Sequence, residues 1–491
     1  MKISLVLCPG WGTETPHLGI ASLTAVLRKN SHDVKVHDFN LRTCIRYRED
    51  RLWKAENMYW EDKEFISRFI KENNYILDSL VDEILSDSAP VIGFSLYCTT
   101  KNLSLELAKR IKEKDSSRIV VLGGQLCFPE HTAIGLINNE AVDVVVMGEG
   151  EGAFLELIEK IQRYKNIDFC PGLVYKQNGD IINCGLRPPI MNLDSLPYPD
   201  FSDFPLYSYG NPHQLPIFSS RGCPYQCVFC STKLFWIKYR SMSGERIFQE
   251  IIYQLKKYRD VYFFSFNDHV INADTKNLSR FCDLILEAKS RREDGVDWDK
   301  FGWRGPAVIR EEMDNELIKK MKEAGCIELE YGMESGSSKV RRLMKKPPYD
   351  ISIVERVIRD THNAGIAARV NFMFGFPEET EEDFQETLDF LKRNREFFAQ
   401  VHPSETFCCV DPGTYLFNHP ERFGITNQHH SLFWHSVDGK NIYPERLRRH
   451  QVFCELAKSL RIPLSPGGDK ITLHKEELLR QYYDYKKSTS V

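Results

Sequence analysis

The chain has 491 residues, of which 42% are hydrophobic and 27% are charged, as in an ordinary globular protein. At roughly 150 residues per domain, this length predicts about three domains. The composition excludes collagenous, coiled-coil and largely disordered chains. Lysine and arginine total 65 against 69 aspartates and glutamates, a net charge of −4. Because nucleic-acid binding needs a basic surface, nucleic acid is not an expected partner.

The hydropathy pattern contains no run of about 18 apolar residues, so no membrane-spanning helix is predicted. The first residues, MKISLVLCPG, contain one lysine and a short apolar run without a cleavage site, which predicts a strand rather than a signal peptide. The chain has 14 cysteines, and three of them fall within residues 223–230. We therefore expect a cytoplasmic protein with reduced thiols, whose tight cysteine cluster has a metal or redox role.

Residues 1–165 alternate short apolar runs with helical patterns, which predicts a doubly wound, Rossmann-like α/β domain with a parallel sheet. The predicted strands are 3–7, 34–39, 91–96, 119–122 and 142–147, with helices at 21–27 and from 153. Ligands of such sheets bind at the carboxyl ends of the strands. The residues at those ends that we single out are Gly10, Ser95, Gly123, Gly124, Gly148, Glu149 and Gly150.

Residues 166–214 are rich in turn-forming residues and predict a small ribbon and a linker. Residues 215–415 return to alternating strands and helices, which predicts a partial (β/α) barrel of the TIM type with its active site at the carboxyl ends of the strands. The strands predicted there are 215–219, 261–266, 301–304, 326–331, 369–374 and 406–410. The remaining segment, 416–491, is polar and is predicted to be mostly helical.

Three cysteines, Cys223, Cys227 and Cys230, follow the first strand of the predicted barrel at the spacing C-x3-C-x2-C. Three thiolates on one loop can bind three irons of a cubane cluster, which leaves the fourth iron open to a substrate. A structural zinc site would need a fourth ligand, and the next cysteine is the distant Cys282. The spacing favours the iron–sulfur cluster, with structural zinc and unliganded thiols as the alternatives.

The three cysteines, with Phe229 directly before the last of them, resemble the signature of radical S-adenosylmethionine enzymes. The resemblance implies a [4Fe-4S] cluster whose open iron chelates the amino and carboxylate groups of S-adenosylmethionine. It further implies that one electron from an external low-potential donor cleaves a C–S bond and yields a 5′-deoxyadenosyl radical.

Further segments resemble the barrel of the same superfamily. Asp268 lies in an element similar to F-x-D, and Arg304 ends a predicted strand in a compressed form of W-x-x-x-x-R. Glu334 belongs to a segment similar to G-x-E-S-G, and Gly375 begins one similar to G-x-P-x-E-T. The resemblance implies that these residues and Phe229 contact S-adenosylmethionine. Asp268 as a helix cap and Glu334 as a first-turn charge are the structural alternatives.

The first domain resembles the cobalamin-binding domain that precedes the barrel in a large subfamily of these enzymes. The resemblance rests on the loop with His17 and Gly19, and on the glycine turns at 123–124 and 148–150. It implies that these residues, with Gly10, Ser95 and Glu149, bind cobalamin. The D-x-H-x-x-G motif of many corrinoid proteins is absent, so cobalt need not have a histidine ligand, and His17 is the one candidate. An empty, vestigial domain is the alternative.

The two resemblances together predict a cobalamin-dependent radical S-adenosylmethionine enzyme. The first expectation is a C-methyltransferase that uses the 5′-deoxyadenosyl radical and methylcobalamin on an unactivated carbon of a small molecule or peptide. The alternative is a cyclase or rearrangement enzyme with the same cofactors and no methyl transfer. A second alternative, from a different class, is a non-catalytic cobalamin or redox sensor.

Overall fold

The structure is a computed structural model that describes all residues except 48–59, 129, 165–166, 168, 293–295, 405, 427–429, 466–474 and 490–491. The chain divides into two compact units. The first comprises residues 1–217 and 250–263, and the second comprises residues 218–249 and 264–491.

A seven-stranded sheet forms the centre of the first unit. Its strands are β1 (Lys2–Leu7), β2 (Asp33–Asp38), β3 (Val91–Ser95), β4 (Ile119–Gly123), β5 (Val144–Val146), β6 (Leu173–Gln177) and β7 (Asp180–Asn183). The order is β2-β1-β3-β4-β5-β6-β7. The first five strands are parallel, and the β6–β7 ribbon extends the sheet in antiparallel fashion. The doubly wound sheet predicted from the sequence is therefore confirmed.

The strand order places a switch point between β1 and β3, since β1 pairs with β2 on one side and with β3 on the other. In doubly wound sheets the ligand crevice opens at the carboxyl ends of the strands at this point. The helices of the first unit are Leu18–Lys29, Phe39–Tyr47, Lys63–Glu72, Asn74–Ser86, Lys101–Lys114, Glu130–Ile137 and Gly150–Tyr164.

The first unit is stabilised by apolar residues that alternate along the strands. Val6, Ile92, Phe94 and Leu122 are buried in one core with apolar residues of the helices that pack on this side of the sheet. Short apolar strands of this kind bury both faces, which explains why they are near-continuous apolar runs in the sequence.

The second unit contains a sheet in which β15 (Gln400–Pro403), β14 (Ala367–Phe372), β13 (Cys326–Glu334), β12 (Gly302–Ala307) and β11 (Phe263–Phe266) are neighbours in this order. The pairs β12–β13, β13–β14 and β14–β15 are parallel. Strand β8 (Gln214–Ile217) leads into the three-cysteine loop, which is flanked by β9 (Ser220–Arg221) and β10 (Arg240–Ser241). This sheet agrees with the partial barrel predicted from the sequence.

Side chains alternate between the two faces of this sheet. Leu329, Tyr331 and Met333 of β13 are buried on one face, whereas Glu328 and Glu330 lie on the other and are at least partly accessible. The remaining helices are Thr232–Phe235, Gly244–Lys257, Thr275–Arg291, Asn315–Glu323, Ser338–Leu343, Ile351–Asn363, Glu381–Arg393, Tyr415–Asn418, Tyr443–Ser459 and Lys475–Thr489. A two-stranded ribbon, β16 (Ile425–Thr426) with β17 (His435–Ser436), completes the second unit.

Two sequence predictions differ from the structure. The segment 406–410 was predicted as the last strand of the barrel, but that strand is β15, and this prediction is wrong. Phe407 has a positive φ of 53° and Cys408 is buried in a side-chain core, so the apolar run marks burial without a strand. The strand predicted at 301–304 continues to Ala307, so Arg304 does not end it.

Within the described ranges, no helix is both long enough and apolar enough to cross a membrane.

Candidate functional site

The three-cysteine loop is closed at its base by a short antiparallel pairing. Arg221 of β9 pairs with Arg240 of β10, and the Met242 amide donates to the Ser219 carbonyl at 2.8 Å. Gly222 has a φ of +81°, and a Cβ there would lie 2.9 Å from the Lys238 carbonyl oxygen. Only glycine therefore allows the chain to turn into the loop at this point.

The middle of the loop is anchored by Val228, which is buried in a core with Met344 and Leu416. Its amide donates to the Met344 carbonyl, and its carbonyl accepts from the Leu416 amide, both at 3.1 Å. Phe229 is half-buried against the same core. These contacts hold the segment between the second and third cysteines against the protein, so its neighbours Cys227 and Cys230 have fixed positions.

The three thiols of this loop lie within eight residues of the chain, 223–230. Burial raises the pKa of Cys223 and raises that of Cys227 to about 11, so both thiols are protonated at neutral pH. Metal binding would have to displace these protons, as it does at other thiolate sites. The Sγ of Cys230 lies 3.1 Å from the Thr232 hydroxyl, which can donate to a thiolate there.

Asp268 fixes the strand residues that enter the loop. Its carboxylate accepts hydrogen bonds from the Ser219 amide, from the Ser219 hydroxyl at 2.7 Å and from the Ser220 hydroxyl at 2.5 Å. Burial raises its pKa to about 6, although the hydrogen bonds from the serines act in the opposite direction. The structure thus gives Asp268 a positioning role, and its predicted contact with S-adenosylmethionine stays a prediction.

Glu334 is the last residue of β13 and has a φ of +72°. Its Oε1 lies 3.1 Å from the Nζ of Lys346, and the two side chains are only 15% and 14% exposed. Lys346 passes over Gly332, where a Cβ would lie 2.8 Å from the Lys346 Nζ. Gly332 therefore leaves room for the Lys346 side chain. Sequence reasoning missed Lys346 because no motif includes this residue.

Arg341 is fully buried in the same region. Its Nη1 donates to the Met333 carbonyl and its Nε to the Pro348 carbonyl at 2.9 Å. Among the described residues, its Nη2 has no hydrogen-bond partner. Burial lowers the pKa of Arg341 to about 10, and Glu334 and Cys227 are among the groups that act on it electrostatically.

Arg304 lies on the polar face of the sheet. Its guanidinium is 3.4 Å from Glu328, which also pairs with Arg369 at 3.1 Å. These three side chains, with Gln400 bonded to Arg369, form a network across β12 to β15. The structure places Arg304 within its strand and paired, and its contact with S-adenosylmethionine stays a prediction.

Gly375 is buried at the turn after β14. Its amide donates to Glu379 Oε2 at 2.7 Å, and its carbonyl accepts from Asn441 at 3.0 Å. Its α-carbon faces the aliphatic part of Arg446, leaving no space for a Cβ. The predicted contact of Gly375 with S-adenosylmethionine stays a prediction.

In the first unit, the predicted cobalamin-binding residues lie at the carboxyl ends of the strands. Gly10 follows β1, Ser95 ends β3, Gly123 and Gly124 end and follow β4, and Gly148, Glu149 and Gly150 follow β5. Among the described residues, no atom lies within 4 Å of a Cβ placed at Gly148 or at Gly12 in the loop after β1. This edge therefore leaves backbone open to a ligand, as the close approach of a large corrin requires.

Not every glycine at this edge has that role. A Cβ at Gly10 would lie 2.7 Å from the Thr99 carbonyl oxygen, and one at Gly124 would lie 2.8 Å from that of Leu96. Both glycines have positive φ angles and allow loops of the unit itself to approach one another. Gly19 is exposed in the first turn of the helix Leu18–Lys29.

His17 caps this helix. Its Nδ1 accepts from the Ile20 amide at 3.0 Å, and its Nε2 lies 3.1 Å from the Tyr97 hydroxyl. Both ring nitrogens are thus engaged by protein groups, and burial lowers the pKa of His17 to about 4. A histidine in this state is not free to bind cobalt unless one of these contacts breaks.

Sequence reasoning missed two residues that shape the loop after β1. Asn40 is fully buried, and its Oδ1 accepts from the amides of Gly10 and Trp11 at 3.1 and 3.0 Å. The Trp11 ring stacks on Tyr97 with centroids 4.0 Å apart. Asn40 lies about thirty residues downstream of this loop and belongs to no motif, so the sequence does not indicate that it binds the loop after β1.

The cap at His17 predicts a pH-dependent stability. Burial lowers the pKa of His17 from its ordinary value of 6.5 to about 4 in the folded chain. The folded state therefore favours the neutral ring, and the contribution of His17 to the stability of the fold is present above pH 6.5 and is lost as the pH falls towards 4. Between pH 7.5 and pH 5.5 we expect a loss of about 1 kcal/mol in the protection of the following helix. Hydrogen exchange of residues 18–29 measures this loss.

His17→Asn is the matched control, because asparagine also caps helices but does not titrate. The variant should retain most of its protection at pH 5.5. An equal loss in both proteins would assign the pH dependence to other groups.

Comparison with known proteins agrees with the predicted domains of both units. Residues 217–391 match the radical SAM superfamily, and residues 10–158 match the B12 binding domain. The chain therefore contains a radical S-adenosylmethionine domain preceded by a B12 binding domain. The three cysteines, the Glu334 segment and the turn at Gly375 all lie within the first of these matches.

Three relatives illustrate the range of this group. An uncharacterized methyltransferase of Pyrococcus horikoshii is 29% identical over 85% of this chain and 83% of its own length. An anaerobic magnesium-protoporphyrin IX monomethyl ester cyclase of Rubrivivax gelatinosus is 26% identical over 64% of this chain and 56% of its own. The solved structure of the radical S-adenosylmethionine methyltransferase TsrM of Kitasatospora setae, with cobalamin and a [4Fe-4S] cluster bound, has a TM-score of 0.68 at 15% identity. It covers 95% of this chain and 91% of TsrM, and at this identity the likeness concerns the fold.

The residues present fit an iron–sulfur cluster. Three thiols lie on one anchored loop, and the chain that carries the buried Arg341 and Lys346 contacts this loop where the Lys345 carbonyl oxygen lies 3.8 Å from the Cys227 Sγ. Within the described ranges, no group of three or more His, Cys, Asp and Glu side chains converges on one point as ligands of a single metal ion do. Thiolates that bind separate corners of a cubane need not converge.

Proposed function

We propose that this chain is a cobalamin-dependent radical S-adenosylmethionine enzyme that transfers a methyl group to an unactivated carbon of a small molecule or peptide. One observation supports this most strongly. The same chain has a loop with three thiols, which would leave one iron of a bound cubane open, and a B12 binding domain whose candidate histidine is already engaged. Similarity to methyltransferases over more than four-fifths of the chain favours methyl transfer over other radical chemistry.

Different residues of the second unit would hold the cluster and S-adenosylmethionine. Cys223, Cys227 and Cys230 would bind the cluster, while Asp268 keeps the loop entrance in place through the two serines. Glu334 and Lys346 present one negative and one positive charge, which complement the ammonium and carboxylate groups of S-adenosylmethionine. When bound, the cluster, S-adenosylmethionine and cobalamin supply one-electron C–S bond cleavage and a methyl group for transfer.

The first unit would bind cobalamin at the edge formed by the loops after β1, β3, β4 and β5. The open backbone at Gly12 and Gly148 admits close approach, and Asn40 fixes the first of these loops. Neutral His17 would remain in its cap, held by the Ile20 amide and the Tyr97 hydroxyl, while the loop binds cobalamin. The predicted contacts of Ser95, Gly123 and Glu149 with cobalamin belong to this proposal.

The proposal is tested with protein purified and reconstituted without oxygen. We expect roughly four irons per chain, a corrin absorption and cleavage of S-adenosylmethionine to 5′-deoxyadenosine on addition of a reductant. Candidate substrates should gain the mass of one CH2 unit. An intact cluster with cobalamin that cleaves no S-adenosylmethionine with any candidate would contradict the proposal and favour a sensor.

A cyclase or rearrangement without methyl transfer is the second candidate, supported by the match to the Rubrivivax gelatinosus cyclase. Product mass separates the two functions. A product without the added CH2, formed together with 5′-deoxyadenosine, would favour this candidate.

We also propose the cellular context and the domain limits. The electron source would be an external low-potential donor, and the cytoplasm would keep the cluster thiols reduced. The proposed domains are 1–165 for cobalamin binding, 166–214 as linker, 215–415 for the radical S-adenosylmethionine barrel and 416–491 as a mostly helical C-terminal region. The two family matches fall within the first and third of these segments.

A further inference from the structure

We propose that Lys346 and Arg341 are positioning residues that form a cationic pair beside Cys227 and raise the reduction potential of the cluster. The inference rests on the proposed function, because it requires the three-cysteine loop to hold an iron–sulfur cluster. It concerns two residues outside every motif that the sequence resemblance covers.

The backbone that carries Lys346 runs along the cysteine loop. The Met344 carbonyl accepts from the Val228 amide, and the Lys345 carbonyl oxygen lies 3.8 Å from the Cys227 Sγ. From this anchored backbone, the Lys346 side chain reaches Glu334 across Gly332. Burial lowers the pKa of Lys346, but the pairing with Glu334 at 3.1 Å acts in the opposite direction and the pKa is raised, so the ammonium is charged at neutral pH.

Arg341 adds a second positive charge, and its guanidinium is held in place by backbone carbonyls. Its Nε and Nη1 are held by the carbonyls of Pro348 and Met333, and its side chain has no exposure to water. Nη2 has no hydrogen-bond partner in the described part of the chain. Leaving a buried donor unpaired is costly, and a negatively charged neighbour would relieve this cost.

The charges at this point do not cancel. Two cations, Lys346 and Arg341, accompany one carboxylate, that of Glu334, where the Lys345 carbonyl contacts Cys227, so one positive charge remains in this cluster. A cubane with three thiolates gains one negative charge when it is reduced, and nearby positive charge stabilises that form. Because these groups are largely buried, salt screens the effect only weakly. Loss of either cation should therefore make the cluster harder to reduce.

The test is a redox titration of reconstituted full-length protein, followed by electron paramagnetic resonance of the reduced cluster. In Lys346→Met the ratio of reduced to oxidised cluster at a fixed potential should fall about tenfold, equivalent to about 59 mV for one electron. Lys346→Arg keeps the charge and should restore the ratio.

Lys345→Met is the matched control, because Lys345 is exposed and its Nζ lies over the Tyr415 ring at 4.8 Å. An exposed charge is screened, so this variant should change the ratio by less than about twofold.

Glu334→Gln gives an independent result of opposite sign. Removing the carboxylate increases the positive charge, so the cluster should become easier to reduce. Unchanged ratios in both Lys346→Met and Glu334→Gln would overturn the inference, as would an equal fall in Lys345→Met and Lys346→Met. If Lys346→Met takes up no iron, the direction of the Glu334→Gln change decides. If the unaltered protein forms no cluster, the proposed function fails instead.

Discussion

Replacing Cys227 with alanine is expected to remove the iron–sulfur cluster and, with it, all cleavage of S-adenosylmethionine. Each thiolate of a three-cysteine loop binds a different iron, so no remaining ligand can substitute for the one lost. Cys227 is only partly buried, and removing its Sγ breaks no strong hydrogen bond, so the second unit should remain folded. Iron should fall from roughly four atoms per chain to a small residue.

Cys98→Ser is the matched control, because Cys98 is an exposed free cysteine of the first unit. It should bind the full complement of iron, because Cys98 lies outside the cysteine loop. Metal analysis also tests the alternative of structural zinc. Zinc in place of iron in the unaltered protein, or full iron content in Cys227→Ala, would show that these thiols do not carry an open cluster.

Much of the fold could be predicted because its strands carry strong local signals. The strands β1, β3 and β4 consist mainly of Val, Ile, Leu and Phe, and the structure places their ends within two residues of the prediction. The exception is the edge strand Gln400–Pro403, where only Val401 and Pro403 are buried. The polar composition of Gln400–Pro403 gives no strand signal in the sequence. The apolar residues at 407–410 indicate burial without indicating a strand.

The cysteine loop was predictable for the same reason, because its spacing is local and rare. Lys346 and Arg341 were not predictable, since charged residues in a K-V-R-R or K-K-P-P run are usually solvated. Their burial depends on the chain that returns from the helix Ser338–Leu343 to pass beside β13 and the loop. Asn40 is similar, because only the tertiary fold brings it to the amides of Gly10 and Trp11.

Gly375 is the position where the sequence resemblance and the structure favour different roles. The resemblance implies a contact with S-adenosylmethionine, whereas the structure surrounds Gly375 with Glu379, Asn441 and Arg446. Arg446 is fully buried, donates to the carbonyls of Leu432 and Trp434 at 2.8 Å, and lies over the Trp434 ring at 4.2 Å. It therefore cannot move aside for a larger residue.

Gly375→Ala is accordingly expected to destabilise the second unit by about 4 kcal/mol. About 1–2 kcal/mol comes from the positive φ of 70°, and about 1–3 kcal/mol from overlap of the new methyl group with Arg446. Gly439→Ala is the matched control, because Gly439 has a φ of 68° but no atom of the described residues within 4 Å of an added Cβ. It should show the backbone cost alone. Hydrogen exchange of the helix Tyr443–Ser459, which carries Arg446, measures both effects. Equal protection in the two variants, with S-adenosylmethionine binding lost only in Gly375→Ala, would instead assign Gly375 to the cofactor.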